Sequence, residues 1–254
     1  MLEIRNITKV YNPGLITEMC LFQNFSLVIE DGEFVTIVGS NGSGKTSLLN
    51  IICGSIPIEK GDILLDQKNI TRIKDYKRYA TMGRVYQNPS LGTCPNLTIL
   101  ENMSLAQNKG RRYGLTSGIN KKQAERYREE LAALGLGLEN KLHVKMGSLS
   151  GGQRQAVALL MATMTPLRFL ILDEHTAALD PKTAELIMSL TDKIVKEKKL
   201  TAIMVTHNLH YAAEYGNRLI MLNRGNIEMD VHDEDKKKLS ADNIMSAFLH
   251  HERL

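Results

Sequence analysis

The sequence lacks the features of a protein that is stabilised by disulfide bonds or by a structural metal ion. It has only three cysteines among 254 residues, Cys20, Cys53 and Cys94, and no CxxC spacing. Such an odd, scattered set predicts reduced thiols in a cytosolic protein. With 43% hydrophobic and 24% charged residues, the chain can bury a core without staples, so we expect one large domain or one domain with a sizeable insertion.

A long hydrophobic run is also absent. The most apolar stretch, residues 156–172, is interrupted by Pro166 and Arg168, so it predicts a helix followed by a buried strand rather than a membrane span. The first ten residues include charged side chains and lack the apolar region of a signal peptide. We therefore expect a chain that does not cross a membrane by itself.

A strong net charge of one sign is missing as well. The formal net charge is only +4, and most basic clusters, including Lys236 to Lys238, have acidic neighbours such as Asp233 and Glu234. Solvated faces are the favoured interpretation, and a patch facing nucleic acid or lipid is the less favoured one. We expect no nucleic-acid partner.

The first part of the chain contains several strand signals. Residues 2–11 alternate partly, and the turn Asp31–Gly32 between FSLVIE and EFVTIVG predicts a hairpin. A second hairpin, at a sheet edge, is predicted for GDILLDQKNI, residues 61–70. The apolar run SLLNIICG predicts a helix that ends near Gly54.

Residues 88–150 have a helical pattern, and we find no strand signal among them. After residue 150, predicted helices and strands alternate up to Leu222, which implies a mostly parallel sheet covered on both faces. The predicted fold class is therefore α/β, with a mostly parallel sheet, an antiparallel β flank and an inserted helical subdomain.

A glycine-rich loop between a predicted strand and a predicted helix carries the most specific motif. GxxxxGK[ST] is matched by Gly39, Ser40, Asn41, Gly42, Ser43, Gly44, Lys45 and Thr46. The glycines let the backbone wrap a phosphate with its N–H groups inward, and the helix presents its positive dipole end to the same anion. Lys45 would reach the β- and γ-phosphates, and Thr46 would offer its hydroxyl to Mg²⁺. The motif predicts a site for nucleotide phosphates.

Two acids follow the apolar run Phe169 to Leu172. A buried parallel strand that ends in a carboxylate can place it beside a phosphate loop. Asp173 would then hold Mg²⁺, and Glu174 would polarise the attacking water. Many strands end in an acid, so the pattern is informative only together with the phosphate loop.

A second glycine-rich turn precedes the helix predicted to begin near residue 151. It consists of Leu149, Ser150, Gly151, Gly152 and Gln153. The turn can be a second anion cradle, with Ser150 as an N-cap or phosphate donor, or a plain capped helix start. Taken alone, the capped helix start is the favoured interpretation.

In this order along the chain, the motifs resemble the nucleotide-binding subunit of an ATP-binding cassette (ABC) transporter. The resemblance covers nearly the whole chain. It rests on GSNGSGKT at 39–46, Gln87 in VYQNP, LSGGQ at 149–153, LILDE at 170–174, AALD at 177–180 and His207 after TAIMVT. It implies a single ABC ATPase domain over 1–254, with a phosphate-loop NTPase core at 1–87 and 151–254 and a helical subdomain at 88–150.

The resemblance also implies roles for single residues. Tyr11 matches the aromatic residue that stacks on adenine, with a buried strand-end tyrosine as the alternative. Gln87 matches the residue that touches Mg²⁺ and water, and His207 matches the switch histidine that contacts the γ-phosphate. Ser47, which follows Thr46, is also expected to be a nucleotide-binding residue. The implied catalytic set is Lys45, Gln87, Glu174 and His207.

Two segments are implied to act across a dimer. Ser150, Gly151 and Gly152 would contact the γ-phosphate bound to the partner's phosphate loop, and Asp180 would cross to the partner subunit. Gln153 is also expected among the nucleotide-binding residues. Because Pro181 follows Asp180, this aspartate is also predicted to cap a helix, and both roles can hold.

His175 departs from the pattern of many members, which have proline after the catalytic glutamate. We interpret His175 as a structural variant, because no metal-ligand partner lies at a useful spacing. The resulting DEHTAALDP segment resembles that of a subfamily of importer ATPases linked to tryptophan or tyrosine uptake.

The resemblance implies a homodimer that uses ATP and Mg²⁺ to drive a separate transmembrane permease, for uptake of a small solute such as an amino acid. An extracellular solute-binding protein would belong to the same system, and this subunit would lie at the cytoplasmic face of the cell membrane as a peripheral protein.

The rival is a soluble ABC-type ATPase in DNA repair or translation. Repair members usually carry a long coiled-coil insertion, and translation members usually carry two cassettes. A purely structural or binding role would require a disabled site, yet no motif residue is missing.

Overall fold

The computed structural model of the chain describes residues 1–110, 118–119 and 121–251. The strands in this part are β1 (Leu2–Tyr11), β2 (Met19–Ile29), β3 (Phe34–Gly39), β4 (Lys60–Leu65), β5 (Lys68–Asn69), β6 (Met82–Val85), β7 (Phe169–Asp173), β8 (Ala202–Val205), β9 (Arg218–Asn223) and β10 (Asn226–His232). The α-helices are α1 (Lys45–Cys53), α2 (Asp75–Arg78), α3 (Ile99–Gln107), α4 (Ala124–Ala132), α5 (Gly151–Thr163), α6 (Pro181–Glu197), α7 (Leu209–Glu214), α8 (Asp233–Lys237) and α9 (Ala241–His251).

The chain divides into two compact units. The first unit contains Met1–Tyr79 and the chain from Lys198 onward, and the second contains Ala80–Glu197. The predicted helical subdomain at residues 88–150 lies within the second unit, and its boundaries stay a prediction. Residues 111–117 and 120 of that predicted subdomain lie outside the described residues.

An antiparallel sheet of the first unit has the strand order β2–β1–β4–β5. Leu2 pairs with Ile29 on one side and with Leu65 on the other. Strands β4 and β5 are joined through Asp66 and Gln67, both with positive φ, which suits a tight turn. The hairpin predicted from GDILLDQKNI is therefore confirmed, and β5 lies at the sheet edge.

Four other strands of the first unit follow the order β10–β9–β3–β8. Strand β3 is parallel to both β8 and β9, and β10 closes this group as an antiparallel partner of β9. All six residues of β3 are buried, as expected for a strand with parallel neighbours on both sides. Helix α1 contacts β3 and buries Leu48, Leu49, Ile51 and Ile52. These features confirm the predicted α/β class.

The hairpin predicted at Asp31–Gly32 is wrong. A turn is present there, with Gly32 at φ +82° and a hydrogen bond from the Glu33 N–H to the Glu30 carbonyl. However, β2 belongs to the antiparallel sheet, whereas β3 pairs with β8 and β9. The local turn signal was correct, but both edges of β3 are used by parallel partners that lie far away in the sequence.

In the second unit, β6 and β7 are parallel, with Met82 opposite Phe169. Between residues 88 and 150, the described residues form α3, α4, short 3₁₀ turns and one isolated bridge between Thr98 and Lys145. Helices α3 and α4 are thus present in the region whose pattern is helical. A capping box of Thr98 and Glu101 begins α3.

The expectation that Lys236 to Lys238 are all solvated is wrong for Lys236. Its side chain is buried, and its ammonium donates to the carbonyls of Ala213, Tyr215 and Gly216. The Ala213 carbonyl belongs to the last turn of α7 and the other two follow that helix, so the buried charge is stabilised by backbone groups at the helix end. Across the described residues, none of the helices combines the length and the apolar character that a membrane span requires.

Candidate functional site

The predicted phosphate loop connects the end of β3 to the start of α1. Gly42 and Gly44 have φ of +80° and +107°, conformations that side-chain-bearing residues rarely adopt. A Cβ atom at Gly39 would lie 2.4 Å from the Leu222 carbonyl oxygen, and one at Gly44 would lie 2.9 Å from the Phe22 ring. The glycines are therefore required by the path of the backbone between a strand and a helix.

Lys45 directs its charge into this loop. The residue is buried, and its ammonium donates to the carbonyls of Gly39 at 2.7 Å and Ser40 at 3.0 Å. Ser43 Oγ is also buried, and it has no hydrogen-bond partner among the described atoms. A buried hydroxyl of this kind is costly unless a partner satisfies it. An oxygen-rich anion such as a phosphate group would supply that partner, so the loop fits the ligand predicted from the sequence.

The first turn of α1 carries the next two predicted residues. Thr46 is exposed, and Ser47 accepts a hydrogen bond of 2.9 Å from the hydroxyl of Tyr11. Tyr11 ends β1, and it is half-buried. The structure therefore brings Tyr11 to the phosphate-loop helix, as a residue near a bound base would require. Asn41, within the loop, is exposed.

His207 leaves the sheet at the same edge as the phosphate loop. Strands β3 and β8 are parallel with Ile37 opposite Val205, and the Thr206 N–H donates to the Ile37 carbonyl at 3.2 Å. Just beyond His207, Asn208 caps α7 by accepting from the next helical N–H groups. The exposed His207 is thus fixed between a strand and a capped helix, at the carboxyl end of the strands.

The second unit carries the predicted carboxylates. Asp173 ends β7, and its carboxylate accepts a hydrogen bond of 2.6 Å from Arg84 on the neighbouring strand β6. Both side chains are largely buried, with 13% and 7% exposed. Arg84 was not predicted from the sequence, although a charged residue inside the short strand MGRV was a usable signal. The next residue, Glu174, has a φ of +47°.

Gln87 follows β6, the strand that is parallel to β7 and next to it. Because β6 and β7 are parallel with Val85 opposite Leu172, Gln87 and Asp173 leave the same edge of this strand pair. The intervening Tyr86 is anchored, since its carbonyl accepts a hydrogen bond of 3.0 Å from Gln155. The Gln87 side chain itself is exposed. The structure thus brings three of the predicted residues of the second unit to one edge.

Ser150 begins α5 with a capping box. The Gln153 N–H donates to Ser150 Oγ at 3.2 Å, and the Ser150 N–H donates to Gln153 Oε1 at 3.4 Å. The capped helix start is therefore confirmed, and the anion-cradle role stays a prediction. Gly151 is exposed, whereas a Cβ atom at Gly152 would lie 2.1 Å from Thr183 Cγ2 on α6. Gly152 thus lies where α5 closely approaches the Thr183 side chain of α6.

Asp180 is the N-cap residue of α6. Its Oδ1 accepts a hydrogen bond of 3.1 Å from the Thr183 N–H, and its carbonyl accepts one of 2.8 Å from Ala184. Hydrogen bonds from the Thr183 side chain and backbone lower the pKa of this carboxyl group. The predicted cap is confirmed. The side chain is exposed, which leaves the predicted role across a dimer open to test.

His175 is held inside the second unit. Its Nε2 lies 3.0 Å from Thr191 Oγ1, and the Thr191 hydroxyl donates to the Ile187 carbonyl at 2.7 Å. Because that hydroxyl has a single hydrogen, the imidazole must donate through Nε2. Burial lowers the pKa of His175 to about 4. These contacts agree with a structural role for the histidine.

The first unit thus carries an anion-wrapping loop and a histidine, and the second unit carries two acids and an amide at one strand edge. Within the described ranges, no group of three or more His, Cys, Asp or Glu side chains could hold a metal ion. The predicted metal donors Thr46, Gln87 and Asp173 offer a hydroxyl, an amide and a carboxylate. Such oxygen donors match Mg²⁺, which commonly takes few protein ligands and completes its shell with phosphate oxygens and water.

Comparisons with known proteins agree with this chemistry. The model of the ABC transporter family matches residues 22–177. A "Tyrosine transport ATP-binding protein" of Clostridioides difficile (strain R20291) is 47% identical over 248 residues, which are 98% of each chain. The "Glutamine transport ATP-binding protein GlnQ" of Escherichia coli (strain K12) is 32% identical over 253 residues, 99% of each chain.

A solved protein structure is also similar to most of this chain. It is a dimeric ATP-binding cassette in a post-hydrolysis state bound to ADP and Pi. The sequence identity is 34%, the TM-score is 0.76, and the match covers 91% of this chain and 98% of that one. With the phosphate loop, the terminal acids of β7 and the capped LSGGQ turn all present, this chain belongs to the ABC transporter family and is an ATP-binding subunit that hydrolyses ATP.

Proposed function

We propose that this subunit powers the uptake of an amino acid, most specifically tyrosine, through a separate membrane permease. The observation that carries this proposal is the 47% identity, over 98% of both chains, to the protein named for tyrosine transport. The DEHTAALDP segment points in the same direction, because it resembles importers linked to tryptophan or tyrosine uptake. The glutamine relative is more distant, at 32% identity, and supports amino-acid uptake more generally.

Nucleotide binding would use the first unit. The amides of residues 39–46 wrap the phosphates, Lys45 places one positive charge against them, and the buried Ser43 hydroxyl gains the partner that it lacks in the described structure. Tyr11 would stack on adenine while its hydroxyl remains bonded to Ser47. Thr46, exposed on the first turn of α1, would bind Mg²⁺.

Hydrolysis would use the predicted catalytic residues. Glu174 would polarise the attacking water, with Gln87 also contacting that water and His207 contacting the γ-phosphate. Asp173 and Gln87 would join Thr46 in holding Mg²⁺, which neutralises charge on the β- and γ-phosphates when bound. Arg84 orients the Asp173 carboxylate through its 2.6 Å hydrogen bond.

The working form would be a homodimer. Ser150, Gly151 and Gly152 of one subunit would close over the γ-phosphate held by the phosphate loop of the partner, and Asp180 would reach across the same interface. The capping box already orients the Ser150 hydroxyl and the α5 N-terminus, and Asp180 is an exposed carboxylate fixed at the start of α6. A solved relative with 34% identity is a dimer, which supports this arrangement.

The permease would contact this subunit through the predicted helical subdomain at residues 88–150, beside Gln87. The subunit would therefore lie on the cytoplasmic face of the cell membrane, and an extracellular solute-binding protein would deliver the solute. The soluble-ATPase alternative is less favoured, because relatives that match nearly the full chain are named for transport.

The test is uptake of labelled tyrosine in a strain from which this chain has been deleted. We expect uptake to fall, to recover with the wild-type chain, and to stay low with Lys45→Ala, which removes the charge on the phosphates. Lys238→Ala is the matched control, because this lysine is exposed and its ammonium pairs with the exposed Asp235. Tyrosine uptake that is unchanged by the deletion would contradict the cargo. Normal ATPase activity of purified Lys45→Ala would contradict the phosphate-loop assignment.

A further inference from the structure

Lys9 is a buried lysine that lies beside the ring of Tyr11. Both residues belong to β1 and are two positions apart. Lys9 is only 6% exposed, and its ammonium lies 5.3 Å from the centroid of the Tyr11 ring. At this distance a cation over an aromatic face is attracted by the electron density of the ring.

Glu59 holds that ammonium in place. Its Oε1 lies 2.7 Å from the Lys9 ammonium, and its Oε2 accepts a hydrogen bond of 2.8 Å from the Val10 N–H. The Glu59 N–H in turn donates to the Thr8 carbonyl at 3.0 Å. Although partial burial raises the pKa of Glu59, the hydrogen bonds from Lys9 and Val10 lower it by more, so its net shift is downward. The carboxylate therefore stays charged and fixes Lys9 against β1.

The opposite end of the ring is fixed as well. The Tyr11 hydroxyl bonds to Ser47 on the first turn of α1, two residues after Lys45. The register of β1 with β2 shifts on both sides of Lys9, and such bulges re-aim the side chains that follow them. Tyr11 is thus held at one face by a cation and at its hydroxyl by the phosphate-loop helix.

We propose that Lys9 is a positioning residue for nucleotide binding, and that with Glu59 it holds the Tyr11 ring where an adenine base can stack on the other face. This inference rests on the proposed stacking role of Tyr11. A chain of contacts from Glu59 through Lys9 and Tyr11 to Ser47 then sets the distance between base and phosphates. Nothing in this chain of contacts touches the reacting phosphate, so Lys9 acts on affinity and leaves the chemical step unchanged.

The test compares ATP with tripolyphosphate, a probe that carries the phosphates without the base. Lys9→Met should raise the Kd for ATP by roughly 3- to 30-fold, which corresponds to loss of one desolvated cation–π contact. The Kd for tripolyphosphate should stay within about twofold of wild type. In steady-state ATPase assays KM should rise by the same factor as Kd, with kcat unchanged. Lys9→Arg keeps a cation beside the ring and should restore most of the affinity.

Two further variants separate the possible causes. Lys9→Met leaves the Glu59 carboxylate without its ion-pair partner, so the double variant Lys9→Met with Glu59→Gln tests the loss of the cation without a stranded charge. Thermal unfolding checks that both variants fold. In a Tyr11→Ala background, Lys9→Met should cause no further loss of ATP affinity.

The outcomes distinguish this inference from the proposed function. If Tyr11→Ala weakens ATP binding and Lys9→Met does not, the role of Lys9 is wrong while the stacking role stands. If Tyr11→Ala leaves the Kd for ATP unchanged, the stacking role is wrong and the inference falls with it. Equal weakening of ATP and tripolyphosphate by Lys9→Met, or a loss of kcat with unchanged KM, would show that Lys9 supports the loop or the fold instead.

Discussion

His175 should make the stability of the second unit depend on pH. It is buried next to Thr191, and burial lowers its pKa to about 4 from an ordinary value of 6.5. The folded state therefore prefers the neutral imidazole, whereas the unfolded chain accepts a proton near the ordinary value. Stability from this group is complete above the unfolded pKa and is lost as pH falls from there toward the folded pKa.

The expected loss can be worked out from these two pKa values. The full difference corresponds to about 3 kcal/mol of unfolding free energy, and about 2 kcal/mol of it should be lost between about pH 7.5 and about pH 5. His175→Gln removes the titration while it retains an amide that can donate to Thr191. We expect the variant to lose about 2 kcal/mol less than wild type over this interval. His143→Gln, at an exposed histidine, is the matched control and should behave like wild type.

Urea denaturation at several pH values measures this difference, because all other titrating groups are common to both proteins. Hydrogen exchange of the β7 and α6 amides gives a local readout, since His175 lies between these elements in the sequence and bonds to α6. Parallel pH profiles for wild type and His175→Gln would refute the reasoning, because they would mean that the imidazole is not held neutral in the folded state.

The remaining predictions concern the proposed dimer and the α5–α6 contact. Glu174→Gln should accumulate as a dimer with ATP but not with ADP, because the γ-phosphate that joins the subunits is no longer cleaved; light scattering after size exclusion would show a monomer in saturating ATP if this is wrong. Gly152→Ala should lower the unfolding free energy by about 1–3 kcal/mol, because its Cβ would lie 2.1 Å from Thr183 Cγ2. Gly151→Ala, with its nearest contact at 3.6 Å, should cost much less, and equal thermal shifts for the two variants would contradict this account.

Local patterns were sufficient to predict most elements of the fold. Strand β7 is an apolar run that ends at Asp173, and α1 is followed by Gly54, which adopts the left-handed conformation expected after a helix. The Asp31–Gly32 prediction failed because a turn signal describes only the reversal of the chain. Which strand becomes the neighbour of β3 depends on parallel partners more than 160 residues away, β8 and β9.

In the candidate site too, local sequence patterns predicted the motifs but not the contacts between residues that are distant in the sequence. The order of the motifs indicated the phosphate loop, the acids and the LSGGQ turn. The contacts that orient them join distant positions, such as Arg84 with Asp173, separated by 89 residues, and Tyr11 with Ser47, separated by 36. The burial of Lys236 could not be predicted either, because a lysine in a charged run does not indicate that its ammonium will donate to three backbone carbonyls.

The positive φ of Glu174 has a consequence for how this position can change over evolutionary time. A side-chain-bearing residue in the left-handed region costs about 1 kcal/mol relative to the favoured conformations, and glycine or asparagine would relieve that cost. Under selection for stability alone, Glu174 would therefore tend to be replaced by glycine or asparagine. Its persistence would depend on selection for turnover, and a duplicated copy released from that selection should lose this carboxylate early while it keeps the fold.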